Sequence, residues 1–206
     1  MRSSGLPIAA AAICLLAGCM NDGAQEGAAG APSPSIRQVD DAGTALPFET
    51  KHSRRWGPAN NGTTYEPCTA LQRTQLTSLG INPTTASDAA GTDGQTLRGC
   101  DWKYANGNYQ DHWNLSQFVG NSPGLDFAKT RRSGGTNEWL PDVGIAGRQV
   151  GVHIYTTGDQ CDTYVQSRGA SVITMVTHYG QSQPPINEIC DRALAFTRAT
   201  IGKMPV

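Results

Sequence analysis

Residues 149–179 read QVGVHIYTTGDQCDTYVQSRGASVITMVTHY, and this run decides the fold class. Val150, Val152 and Ile154 alternate, as do Cys161, Thr163 and Val165. That is the period of a strand with one buried face. Ser171 to Tyr179 carries Val172, Ile173, Met175 and Val176, apolar on both faces, as a central strand requires. Gly158-Asp159 and Arg168-Gly169 supply the short turns between them.

Toward the C-terminus, Pro184-Pro185 precedes Ile186, Ile189, Cys190, Ala193, Leu194, Thr197 and Ile201, which recur at helical spacing until Gly202 and Pro205. Cys190 falls on the buried stripe and points at the sheet. Toward the N-terminus, Leu97 to Tyr104 places Cys100, Trp102 and Tyr104 on one face, and His112 to Val119 places Trp113, Leu115 and Val119 on one face. Asn106-Gly107 between them predicts a hairpin. Ser122-Pro123 starts a helix over Gly124 to Arg131. Leu71, Leu76 and Leu79 give short helices after Cys68, capped by Thr69 or Thr74 and stopped by Gly80. Pro83 to Thr96 and Ser133 to Gly147 read as loops. The expected fold is α+β: an antiparallel sheet of about five strands with helices on its faces, in the order α-β-β-α-β-β-β-α.

The first 18 residues read as a signal peptide: Arg2, an apolar core from Leu6 to Leu16, then small residues. The core is shorter than the about 20 residues that span a bilayer. Leu16-Ala17-Gly18-Cys19 resembles a bacterial lipobox, in which the Cys19 thiol takes diacylglycerol and becomes the new N-terminus. The chain then divides into a signal (1–18), a lipidated flexible linker (19–61) and one domain (62–206). The expected location is the outer face of the cell membrane. Within the linker, Lys51-His52-Ser53-Arg54-Arg55-Trp56 reads as a solvated approach; contact with anionic headgroups is the other reading. Cleavage removes Arg2 from the 16 basic residues and leaves 15 against 17 acidic, a net charge of −2. That near-neutrality argues against nucleic acid.

Cys14 leaves with the signal, so Cys68, Cys100, Cys161 and Cys190 remain beyond Cys19. An even set in an exported domain predicts two disulfides. Cys68–Cys100 and Cys161–Cys190 keep each bridge within one half of the chain. The alternative is one bridge with two buried thiols, or a metal site; no Cys-x-x-Cys spacing favours the metal.

Glu66-Pro67-Cys68-Thr69-Ala70-Leu71, then Gln75-Leu76 and Leu79-Gly80, then Gly99-Cys100-Asp101-Trp102, then Cys161 and the late helix with Cys190, together resemble the actinobacterial lipoprotein family called domain of unknown function 3558. The resemblance covers about Gly62 to Pro205, and the Gly57 to Thr64 approach departs from it. It implies kinship with exported lipoproteins and sensor domains of Mog1/PsbP-like fold, hence an antiparallel sheet with helices on both faces. It implies no activity, cofactor or metal.

No Gly-x-Ser-x-Gly, Ser-x-x-Lys, His-Glu-x-x-His or phosphate loop is present. His112, His153 and His178 lie on expected strands, and Asp101 and Asp162 on faces opposite Cys100 and Cys161. Trp139 and Leu140 are the candidate binding residues, because they sit in the Ser133 to Gly147 loop; the other reading folds Trp139 under its own loop. The functional expectation is a monomeric binding or sensing module for an envelope lipid, glycan or protein. A surface enzyme with a His/carboxylate pair, or a structural spacer, stands as the alternative. Two histidines and a carboxylate meeting in one pocket would favour the enzyme.

Overall fold

The computed structural model describes residues 35–89, 96–108 and 110–206. Among them, seven strands form one antiparallel sheet: β1 (Ile81–Asp88), β2 (Arg98–Tyr104), β3 (His112–Asn121), β4 (Asn137–Ile145), β5 (Arg148–Tyr155), β6 (Gln160–Ser167) and β7 (Ala170–Tyr179). The spatial order is β1-β2-β3-β7-β6-β5-β4. The doubly apolar β7 is the middle strand, as its pattern requires. Three helices accompany the sheet: α1 (Arg73–Ser78), α2 (Leu125–Arg131) and α3 (Ile186–Thr200). The β2–β3 hairpin pairs Trp102 with Leu115.

Five strands were expected, and the two additional ones are the sheet's edges. β1 lies in the stretch read as a polar loop from Pro83, and β4 in the stretch read as a loop from Ser133 to Gly147. An edge strand has no need of a buried face, so alternation is weak. Each also carries a proline and a break in its ladder. In β1 the register shifts between Asn82 and Ser87, around Pro83. In β4 it shifts between Leu140 and Val143, around Pro141. A bulge switches the face of later side chains: Trp139 and Val143 stand at even spacing, yet Trp139 pairs with His153 and Val143 with Val150, on opposite faces of the sheet.

One face of the sheet packs on α3. Ile189, Ala193 and Phe196 meet Leu115, Val152, Val172 and Val176, all buried. The Trp102 and Phe196 rings lie 5.6 Å apart. A line of polar groups crosses this interior. Thr163 and Thr197 hydroxyls are 2.6 Å apart, and Gln117 Nε2 donates to Thr174 at 2.9 Å and to Thr200 at 3.3 Å. Tyr65 donates its hydroxyl to Gln117 Oε1 at 2.6 Å. Each buried polar group here has a partner, which keeps its desolvation cost from being lost outright. Cys161 on β6 and Cys190 on α3 form a disulfide, as expected. The expected Cys68–Cys100 bridge is not formed: both are buried free thiols, with Cys68 donating to the Gly99 carbonyl at 3.2 Å.

The folded unit begins at Ser35 rather than near Gly62. Residues 35–66 run as a strap across the β2–β3 end of the α3 face. Leu46 is buried, and Thr69 donates to Asp40 at 2.6 Å. Gly62 crosses so close to the β6–β7 turn that a Cβ there would stand 2.6 Å from the Gly169 carbonyl. The linker reading therefore fails for residues 35–61, because the strap has side chains to bury. Residues 1–34, which include Cys19, lie outside the described residues.

Among these buried side chains is Arg55, although its place in the basic run Lys51 to Trp56 reads as solvated. Its guanidinium donates to Glu66 at 2.7 and 2.8 Å, to Asp88 at 3.0 Å and to the Gly99 carbonyl at 3.0 Å. Arg98, also buried, donates to Glu66 at 3.0 Å and to the Tyr65 and Thr63 carbonyls at 2.7 and 2.8 Å. Two guanidiniums and two carboxylates thus meet with no net charge. Burial opposes ionisation of Glu66, but Arg55 and then Arg98 hold its pKa below the ordinary carboxylate value.

Glu66→Gln leaves two buried guanidiniums short of a counter-charge. It should cost about 3–5 kcal/mol in urea unfolding; an unchanged midpoint would disprove the network's role. Because the folded pKa of Glu66 is depressed, its contribution is present above the unfolded value of about 4.3 and lost as pH falls through the folded value. Acid titration of the wild type and the variant, followed by circular dichroism, should therefore converge below that range. The Cys161–Cys190 bridge closes a loop with a sequence separation of 29. Its loss in a Cys161→Ser/Cys190→Ser variant should cost about 3.5 kcal/mol, read from the same unfolding curves.

Candidate functional site

The sheet face away from α3 carries a single file of side chains crossing all seven strands. Successive register pairs give Ser87, Asp101, Ser116, Met175, Asp162, His153 and Trp139. Residues paired across neighbouring strands point to the same face. The file divides in two. Helix α2 covers its β4–β5–β6 end, and no helix of the described residues covers the β1–β2–β3–β7 end.

Under α2 the polar groups are closed in. Gly151 has no side chain, and a Cβ there would lie 2.4 Å from Leu125; that space is where α2 settles. His153 is fully buried. Its Nε2 is 3.1 Å from Asn137 Oδ1 and its Nδ1 is 3.5 Å from Asp162 Oδ2. Asp162 Oδ1 accepts from Gln160 at 2.9 Å, and Arg132 reaches to 3.9 Å from Oδ2. The Trp139 and Tyr155 rings each lie 5.0 Å from the His153 ring. Asp162, expected on a solvent face, is on the expected face but buried beneath α2 and Arg132.

Trp139 and Leu140 are not loop residues. Both lie on β4 and are half-buried. Trp139 donates its indole N–H to the Arg132 carbonyl at 3.1 Å and packs on His153 and Tyr164. The stretch expected to be a loop presenting them to a ligand is a strand: Trp139 is a wall of the His153 cluster, and Leu140, paired with Val152, turns to the other face and packs on the core.

The bare end holds a groove of about 410 Å³ lined by β1, β2, β3 and β7. Asp101 is half-buried on its floor and accepts a hydrogen bond from the Ser116 hydroxyl. Burial pushes the Asp101 carboxyl above its ordinary value, against the Ser116 hydrogen bond, and Asp88 adds to the rise. Asn114 lines the groove with a buried Oδ1 that has no hydrogen-bond partner among the described residues. Lys103 and the half-exposed Tyr179 stand at the rim. The Tyr179 ring stacks on His112 at 5.1 Å, nearly parallel at 23°. The sequence pattern placed Asp101 on the correct face. Its neighbours across β3 and β7 were not legible, because the connection from β3 to β7 passes through three other strands.

The three strand histidines do not converge. His153 faces α2, whereas His178 lies on the α3 side, packed 4.6 Å from the Trp113 ring and bonded to Asp111 at 2.5 Å. His112 sits beside Tyr179. Burial pushes the Cys68 and Cys100 thiols up, which makes them poor nucleophiles. Among the described residues no three His, Cys, Asp or Glu side chains are grouped to hold a metal. Nor, among them, is any helix long and apolar enough to cross a membrane.

A family model described as a protein of unknown function (DUF3558) matches residues 14–203. The chain belongs to that family. No curated protein and no solved structure matches it. The match takes in both thiols, the disulfide, the groove and the Glu66 network.

Asp162→Asn keeps the shape of the α2 cluster and removes the charge facing His153 and Arg132. It should lower stability by about 1–3 kcal/mol in urea and change Trp139 fluorescence before the global transition. A variant with wild-type midpoint and emission would show that this cluster does not hold α2 to the sheet.

Proposed function

We propose that the chain is an extracytoplasmic lipoprotein, anchored by lipid on Cys19 to the outer face of the cell membrane, whose domain acts there as a binding or sensing module. The observation that carries the binding reading is the groove on the bare half of the sheet. Elsewhere among the described residues the sheet is covered by α3, the strap or α2, whereas here the half-buried Asp101 carboxyl, Lys103 and Tyr179 line an open groove. Ligand sites combine an apolar lining with a few placed polar groups. Catalysis needs a nucleophile, base and charge stabiliser facing one space; His153 and His178 stand on opposite faces of the sheet, which favours binding over the enzyme reading.

The anchor reading rests on Leu16-Ala17-Gly18-Cys19 at the junction of an apolar run and a polar chain. A two-chain lipid gives stable attachment where one acyl chain does not. Helices on both faces of an antiparallel sheet support kinship with the Mog1/PsbP-like lipoprotein and sensor domains. Proline and a bulge at each sheet edge support action as a monomer.

Cys19→Ala should move the protein from the membrane fraction to the soluble exported fraction, while the folded domain, tracked by its Cys161–Cys190 bridge, stays intact. Retention of the variant in the membrane fraction would refute the anchor.

A further inference from the structure

We propose that the groove between β1, β2, β3 and β7 is a saccharide-binding site; this rests on the binding-module reading above. A sugar ring offers hydroxyls that donate and accept together, and C–H faces that are apolar. A site for it needs acceptors and donors set side by side, and a flat apolar surface. The groove supplies both. Asp101 gives Oδ1 to Ser116, and no hydrogen bond occupies its Oδ2 among the described residues. Asn114, one row away on β3, adds a half-buried side-chain amide to the same lining. Lys103, paired with Asn114 across the ladder, supplies donors.

The apolar surfaces lie at the two ends. Tyr179 is 49% exposed, and its ring is held flat by the stacked His112. Phe118, half-buried, lines the other end. Six residues of β3 separate Phe118 from His112, a span of about 20 Å, which accommodates several pyranose rings in line. Met175 lies between them on the floor.

Charge separates this ligand from others. Asp101 and Lys103 carry opposite charges at one site, which suits a neutral ligand. A phosphate or carboxylate would meet Asp101 at the floor. A fatty acyl chain needs an enclosed apolar cavity, and this groove is open with a carboxyl at its base. Asn and carboxylate side chains are among the precisely placed groups that orient a ligand in such a pocket.

The test is an amide-resolved NMR titration of the mature domain with cellotetraose, maltotetraose and the N-acetylglucosamine tetramer at millimolar concentration, and with native envelope extract before and after periodate oxidation. The expected result is that at least one tetrasaccharide shifts the Asp101, Ser116 and Tyr179 amides. Asp101→Asn and Tyr179→Ala should each weaken that binding about tenfold or more, with the remaining spectrum unchanged as the control for folding. Extract should shift the same amides, and periodate should abolish the effect. Groove shifts that survive periodate, or extract shifts confined to amides outside the groove, overturn the saccharide assignment and leave the binding reading standing. Silence toward the tetrasaccharides and the extract alike overturns both.

Discussion

Glu66 accepts hydrogen bonds from two buried arginines, Arg55 from the strap and Arg98 from β2. The remaining architecture depends on that one carboxylate. Arg55 arrives from a segment whose other contacts are modest, and its guanidinium binds the first turn of the domain, the β1–β2 pair and the Gly99 carbonyl at once. A buried ion pair of this kind contributes little net stability against an apolar substitute. Its effect is specificity: a misplaced strap would leave charge stranded in the interior. Asn60 adds to this by donating to the Arg55 carbonyl at 3.1 Å while its own carbonyl accepts from Arg98 at 3.2 Å. Strap and sheet therefore fit in one arrangement.

With the strap and α3 filling one face, the other face is left to the short α2 alone. That helix has no fully buried residue and covers only three strands. The file of polar side chains is thus divided by cover rather than by chemistry. Where α2 lies, Asp162 and His153 are enclosed, with Asp162 accepting from Gln160 and His153 Nε2 set against Asn137. Where it ends, Asp101 lines an open groove, and its Oδ2 takes no hydrogen bond among the described residues. The same sheet surface yields a closed structural cluster at one end and an accessible groove at the other.

The parts legible in sequence were those with one buried face. Val150, Val152 and Ile154 on β5, the two-faced run of β7, and the stripe from Ile189 to Thr197 on α3 all read correctly, since burial imposes the period. The edges did not, because β1 and β4 bury little and their bulges break the alternation at Pro83 and Pro141. Arg55 was illegible for a different reason. Beside Lys51 and Arg54 it has the composition of a solvated segment, and only a partner eleven residues away at Glu66 makes burial tolerable. The pairing of β3 with β7 joins residues about sixty apart, so no local signal could place Ser116 beside Met175. Cys68 and Cys100 were read correctly as neighbours and incorrectly as a bridge.

The interrupted edges have a consequence for crowding. Molecules held on a surface meet in two dimensions, at an effective concentration far above that of the same number in solution. For a chain anchored as proposed, an unbroken, flat edge strand would recruit the next copy by backbone pairing, and the array would grow along the surface. Pro83 and Pro141 each remove a backbone donor, and each bulge turns the strand out of register with any straight partner. Both edges of the sheet thus carry features that oppose edge-to-edge pairing at high local concentration.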